Sequence, residues 1–144
     1  MFLLSIALGT LLAAEPGQRA ALTVQAPDSP VRLDHATVMT APAGPPVLLY
    51  EAVNLTGDAL DTFTVIAYVF KQDGTLKARQ TAPGRRMLDP RGSKYSTLVL
   101  DGSDVDATDI VVVGVNQVQR VNSDTWWRAD VQAAAEGLVP RKKP

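Results

Sequence analysis

The sequence predicts an all-β protein folded as a two-sheet sandwich. Three observations carry this expectation. Short β-rich runs alternate with clusters of Pro, Gly and Asp. Two of the runs are apolar on both faces, as strands central to a sheet are. An Asp-Gly pair joins two adjacent runs, which is strong hairpin chemistry.

The runs are 20–26, Val31–Met39, Val47–Asn54, 60–71, 75–81, 94–100 and 109–121. Between them fall Pro27-Asp28-Ser29-Pro30, a Pro/Gly-rich stretch at 41–46, Thr56-Gly57-Asp58, Asp73-Gly74, Pro83-Gly84, Pro90-Arg91-Gly92 and Asp101-Gly102. Proline cannot donate to a ladder and glycine supplies positive φ, so these clusters end strands. Residues 63–70 place Phe63, Val65, Ala67 and Val69 on one face and Ile66, Tyr68 and Phe70 on the other. That strand is expected at the centre of its sheet, with its second face covered by a loop or a partner. The run after Asp73-Gly74 reads as an edge strand, Leu76 and Ala78 inward, Lys77 and Arg79 outward. Residues 110–115 form the second two-faced strand. Residues 130–136 are alanine-rich and read as a short helix stopped by Gly137. Seven runs give a seven-stranded immunoglobulin-like sandwich, with a small β-barrel as the alternative.

The 144 residues suit one domain, and the net charge of −1 creates no field that would gather nucleic acid. No cysteine is present, which excludes disulfides, thiolate nucleophiles and Cys-ligated metals. Residues 2–14 are an uncharged apolar run ending in Ala13-Ala14 before Glu15-Pro16-Gly17. Such a run is shorter than the roughly 20 residues of a membrane-spanning helix and reads as a signal peptide. No Lys or Arg precedes it and Leu12 is large for its place, so a buried N-terminal helix or strand is the alternative. The expected organisation is a signal peptide at 1–14, a linker at 15–19, the sandwich at 20–137 and a basic tail at 138–144. The expected location is outside the cytosol, periplasmic or secreted, with membrane attachment only if the leader stays uncleaved.

The stretch Asn54-Leu55-Thr56-Gly57, the apolar strand 63–70, Asp73-Gly74 and Pro90-Arg91-Gly92-Ser93 together resemble bacterial exported Ig-like domains of the FxLYD type. The likeness covers residues 54–100. It implies a sandwich and export, and no shared reaction. The Phe-x-Leu-Tyr-Asp signature itself is absent from this chain.

No catalytic apparatus is legible, and the chain is read as non-enzymatic. His35 is the only histidine, and a change of apolar phase around it marks a strand bulge rather than a triad. Asp101, Asp104, Asp106 and Asp109 are the densest acidic group. They are candidate Ca²⁺ ligands without EF-hand spacing, and no other cofactor is expected. A pair of these carboxylates, or one of them with Glu51, could serve a small carbohydrate-active hydrolase as acid and base. Between Lys71 and Lys94, seven basic residues stand against Asp73 and Asp89. Arg85, Arg86, Arg91 and Lys94 are the candidate contacts for a protein or an anionic envelope component. The bland reading is a solvated edge with Met87 and Leu88 in the core. Trp126 and Trp127 should present one ring to each face, for stacking on a ligand or for closing the core. Asn54-Leu55-Thr56 is a glycosylation sequon if the chain follows a eukaryotic secretory route.

Overall fold

The computed structural model describes residues 17–40, 42–101 and 105–140. The apolar leader, Asp104 and the last four residues lie outside them. The strands are β1 (Gln18–Ala20), β2 (Leu22–Val24), β3 (Val31–Met39), β4 (Val47–Asn54), β5 (Leu60–Phe70), β6 (Leu76–Pro83), β7 (Ser93–Val99), β8 (Ile110–Arg120) and β9 (Trp126–Arg128), followed by one short helix, α1 (Gln132–Gly137). They form two sheets. The first runs β1-β3-β4-β7; the second runs β2-β8-β5-β6, with β9 also pairing β8. Neither sheet closes on itself, so the barrel alternative is corrected to a sandwich.

The runs at 31–39, 47–54, 60–71, 75–81, 94–100 and 109–121 each match one strand. The first run does not. Ala21 donates its N–H to the Ala36 carbonyl at 3.0 Å, after which the chain leaves β3 and pairs in parallel with β8. One sequence run thus serves both sheets as β1 and β2. Gln18 and Arg19, read as linker, belong to β1. Val139, read as tail, is buried in the second sheet's outer layer.

Between the sheets lies a core that includes Leu48, Tyr50, Phe63, Val65, Leu98 and Val113. It follows from alternation: β4 buries every second residue, and β5 contributes Phe63, Val65, Ala67 and Val69. Burial pushes the Tyr50 phenol above its ordinary pKa, and a hydrogen bond with Ser96 partly offsets that.

The second apolar face of β5 is covered from within the chain. Ile66, Tyr68 and Phe70 pack with Val112 beneath Val131, Ala135 and Val139 of the C-terminal segment. The expected edge strand is found, since β6 ends the second sheet. Its inward pair is corrected. A register shift at Val69/Phe70 places Ala78 on the interior and Leu76 on the outer layer. The bulge expected at His35 is present, with a register shift between Asp34 and Thr37 and His35 at φ 54°.

The free side of β7 is guarded. Gln80 donates to the Val99 carbonyl at 2.5 Å, and Arg85 approaches the Tyr95 carbonyl at 3.5 Å. These acceptors belong to alternate residues that face away from β4. Filling them from β6 and its following loop hinders edge-to-edge pairing.

Candidate functional site

Three regions gather the chemistry-bearing side chains. The first is the arch at 84–92, which carries the chain from β6 in one sheet to β7 in the other. Its core anchor is Leu88, which is buried and exchanges two backbone hydrogen bonds with Leu60 at 2.9 Å. Met87 is not in the core: it is exposed and its backbone is left-handed at φ 61°. Arg91 is also left-handed, at φ 59°, and donates its backbone N–H to Thr56.

The arch is locked by Asn54, whose side chain is buried. Asn54 Nδ2 donates to the carbonyls of Asp58 at 2.8 Å and Asp89 at 3.0 Å. Its Oδ1 accepts from the Thr56 N–H at 2.9 Å and the Thr56 hydroxyl at 2.8 Å. The sequon reading fails on this geometry, because the folded chain offers no accessible amide for a glycan.

Around the arch, Arg86 pairs with Asp61 at 2.8 Å, and Lys94 donates to the Arg86 carbonyl at 3.0 Å. Arg91 donates to the Leu55 carbonyl. Arg85, Arg86 and Arg91 are exposed and surround Met87 in sequence, whereas Lys94 is half-buried. The cations are thus positioned by local acceptors while their outer edges face water.

The second region is the acidic loop. Asp101 and Asp106 are exposed, Asp109 is buried, and Asp104 lies outside the described residues. Asp109 Oδ2 accepts from Lys77 Nζ at 2.8 Å and from the Asp106 N–H at 2.8 Å. Burial disfavours the Asp109 charge, but Lys77 and the Asp106 N–H outweigh it and hold the carboxyl below its usual pKa. Lys77 is raised in turn, first by its hydrogen bond to Asp109. The ammonium therefore occupies the position at Asp109 that a cation would take. Among the described residues no group of three or more His, Asp or Glu side chains is arranged to hold a metal. Beside this loop, a cleft of about 270 Å³ between β1, β3 and residues 105–107 is spanned by Arg19, which donates to the Asp106 and Ala107 carbonyls.

The Lys77–Asp109 pair makes stability depend on pH with a definite sign. A carboxyl depressed on folding stabilises above its unfolded pKa, and this is lost as pH falls through the depressed value. Lys77→Met should lower Tm at neutral pH, and the gap to wild type should shrink as pH falls below the ordinary Asp value of 3.8 and on through the depressed one. Thermal melts across that range check it. A gap that stays constant would remove the pair as a source of acid sensitivity.

His35 stands at the bulge with its ring largely exposed, 3.7 Å from Glu51. Ser93 Oγ donates to the other Glu51 oxygen at 2.9 Å. The acid lies between the hydroxyl and the imidazole, so His35 does not take the hydroxyl proton as a triad histidine would.

The third region is the outer face of the second sheet. The two tryptophans divide as expected: Trp127 packs against the interior core, and Trp126 lies on the other side of β9. The Arg128 guanidinium stands 6.0 Å from the Trp126 ring centroid. Register places Trp126 beside Gln119 and Gln119 beside Thr62; the next row holds Arg128, Gln117 and Thr64. Further along, Ile66, Tyr68, Arg79 and Asn116 line a cleft of about 210 Å³ with Ala129, Asp130 and Val131. Sequence reasoning missed this polar platform. Its only trace was the phase of alternation in β5 and β8, which puts Thr and Gln opposite the buried Phe63 and Val118.

The fold and these regions define a two-layered β protein with a locked basic arch and a polar, aromatic outer face. Compared with protein-family models, curated proteins and solved structures, the chain finds no match in any of the three.

Proposed function

We propose that the chain is an exported, non-enzymatic binding module that serves the cell envelope through its arch. The observation that supports this most is the arch itself. Asn54 and the Leu60–Leu88 pair hold its backbone, while Arg85, Arg86 and Arg91, all exposed, flank an exposed Met87 in sequence. A fixed loop with guanidinium edges and one apolar tip suits an acidic protein surface or another anionic envelope component. Arginine forks pair carboxylates or phosphates, and little entropy is lost on docking.

The sandwich is proposed to be immunoglobulin-like in kind, as the FxLYD-type likeness implies. The split of one run into β1 and β2, one in each sheet, supports that reading. The succession β3-β4 within one sheet departs from the ABED/CFG arrangement, in which the third strand crosses over. Export rests on the leader at 1–14 and on the expectation that it is removed.

Replacing Arg85, Arg86 and Arg91 together by Ala should abolish capture of the partner from an envelope fraction. Tm should change little, because exposed ion pairs contribute little to stability. Capture that survives the triple replacement would exclude the arch. Fractionation that leaves the whole protein in the cytoplasm would exclude export.

A further inference from the structure

We infer that the outer face of the first sheet is the contact between two copies of this chain. The C-terminal segment covers part of the second sheet's outer face. Among the described residues, neither buried cluster takes in the apolar side chains on the outside of the first sheet. Alternation puts the odd-numbered residues of β4 and β7 there. Register sets them in rows across the sheet: Val99, Val47 and Met39, then Thr97, Leu49 and Thr37. The next row is Tyr95, Glu51 and Asp34, and the last is Ser93, Val53 and Arg32. Tyr95 and Val99 are 53% and 43% exposed.

Three features select a second copy as the occupant. The first is charge. Arg32 is bound to Asp34 at 2.9 Å, and Glu51 accepts from Ser93 and lies 3.7 Å from His35. Charges matched in this way do not steer a strongly charged partner to the face. The chain itself carries a net −1, too little for two copies to repel.

The second feature is that each row complements itself. A two-fold axis parallel to the strands lays every row on the same row of the other copy. Val99, Val47 and Met39 then meet their like. The row with the acids Glu51 and Asp34 also holds the Tyr95 hydroxyl and adjoins His35, so donors meet acceptors. The third feature is area. Strands about 4.8 Å apart, paired over lengths of about 24 Å, remove on the order of 1,000 Å² from water when two such faces stack, the level a specific interface needs. Pairing through the β7 edge is hindered instead by Gln80 and Arg85.

The same symmetry has a consequence for the arch. Ser93 begins β7 where the arch ends, and rows keep their level, so both arches emerge at one end of the dimer. On the arch reading of function, the pair binds an acidic surface with avidity. The dimer itself does not depend on that reading.

Sedimentation velocity of the full chain from about 1 to about 100 μM tests the contact. It should show a species of twice the 15.4 kDa chain mass. Val99→Lys should raise the dissociation constant by about ten-fold or more at little changed Tm, because it buries an unpaired charge at the contact. Replacing Arg85, Arg86 and Arg91 by Ala should leave the dimer intact, which separates this contact from the arch. The chain has no cysteine, so a single Val47→Cys forms a disulfide only between copies. It should oxidise to a covalent dimer far more readily than Thr81→Cys on β6, which decides the matter even if Val99→Lys impairs folding. A monomer throughout the range overturns the proposal, whether residues 1–16 or a different protein occupies the face. A dimer that folded Val99→Lys leaves intact, or equal cross-linking at both positions, also overturns it.

Discussion

Asn54→Ala is expected to lower the unfolding free energy by about 3 kcal/mol, among the largest effects of any single polar replacement here. The reason is the number of partners lost together. The Asn54 amide donates to the carbonyls of Asp58 and Asp89 and accepts from the backbone and hydroxyl of Thr56. Alanine returns none of these bonds, and water has poor access to a side chain that is 1% exposed. Asn54→Asp should be at least as damaging at neutral pH. A carboxylate of the same shape would face carbonyl oxygens with no proton to offer. Urea denaturation of both variants measures the effect through the midpoint. Because Asn54 joins the 55–59 turn to the arch, the loss should be accompanied by faster amide exchange at Leu88 and Arg91. A midpoint unchanged in Asn54→Ala would mean that the arch is not held as described.

Gly114→Ala is expected to cost about 3 kcal/mol by a different route. A β-carbon at this position would lie 2.6 Å from Val24 Cγ1 and 2.8 Å from the Val24 carbonyl oxygen. The backbone of β2 cannot retreat without leaving the parallel register that pairs Val24 with Gly114. Expulsion of β2 would also uncover Val112 and Val131, which pack with Val24 in the outer layer. Hydrogen exchange should therefore accelerate at residues 22–24 far more than at β3 or β4. A tolerated alanine with protected β2 amides would contradict the parallel pairing.

These two residues show where sequence reading stops. Asn54-Leu55-Thr56-Gly57 was legible as a turn, because Asn, Thr and Gly favour turns through local hydrogen bonds and positive φ. That the same amide reaches the arch carbonyl of Asp89 depends on a contact 35 residues away. Gly114 stands within the two-faced run 110–115, and nothing in its immediate neighbours marks it as a place of close approach. The close approach that requires it comes from β2, whose existence as a separate strand no local pattern reveals. The candidate site divides similarly. The cationic stretch and the two tryptophans were visible in composition and spacing. That Asp109 pairs with Lys77 required β6 and the loop before β8 to meet across 32 residues.

Alternation, turn chemistry and two-faced apolar runs by themselves determined an all-β chain, six of its strand positions, the central place of β5 and the edge place of β6. Those features are local, since a side-chain period of two and a Pro or Gly break act within a few residues. Tertiary structure alone decided which sheet each strand joins, that one run is shared between both, and that residues 131–139 cover half of one outer face. It also decided which polar side chains stand together on the half left open. Those outcomes depend on hydrogen bonds and packing between segments far apart in the chain, and no local periodicity encodes them.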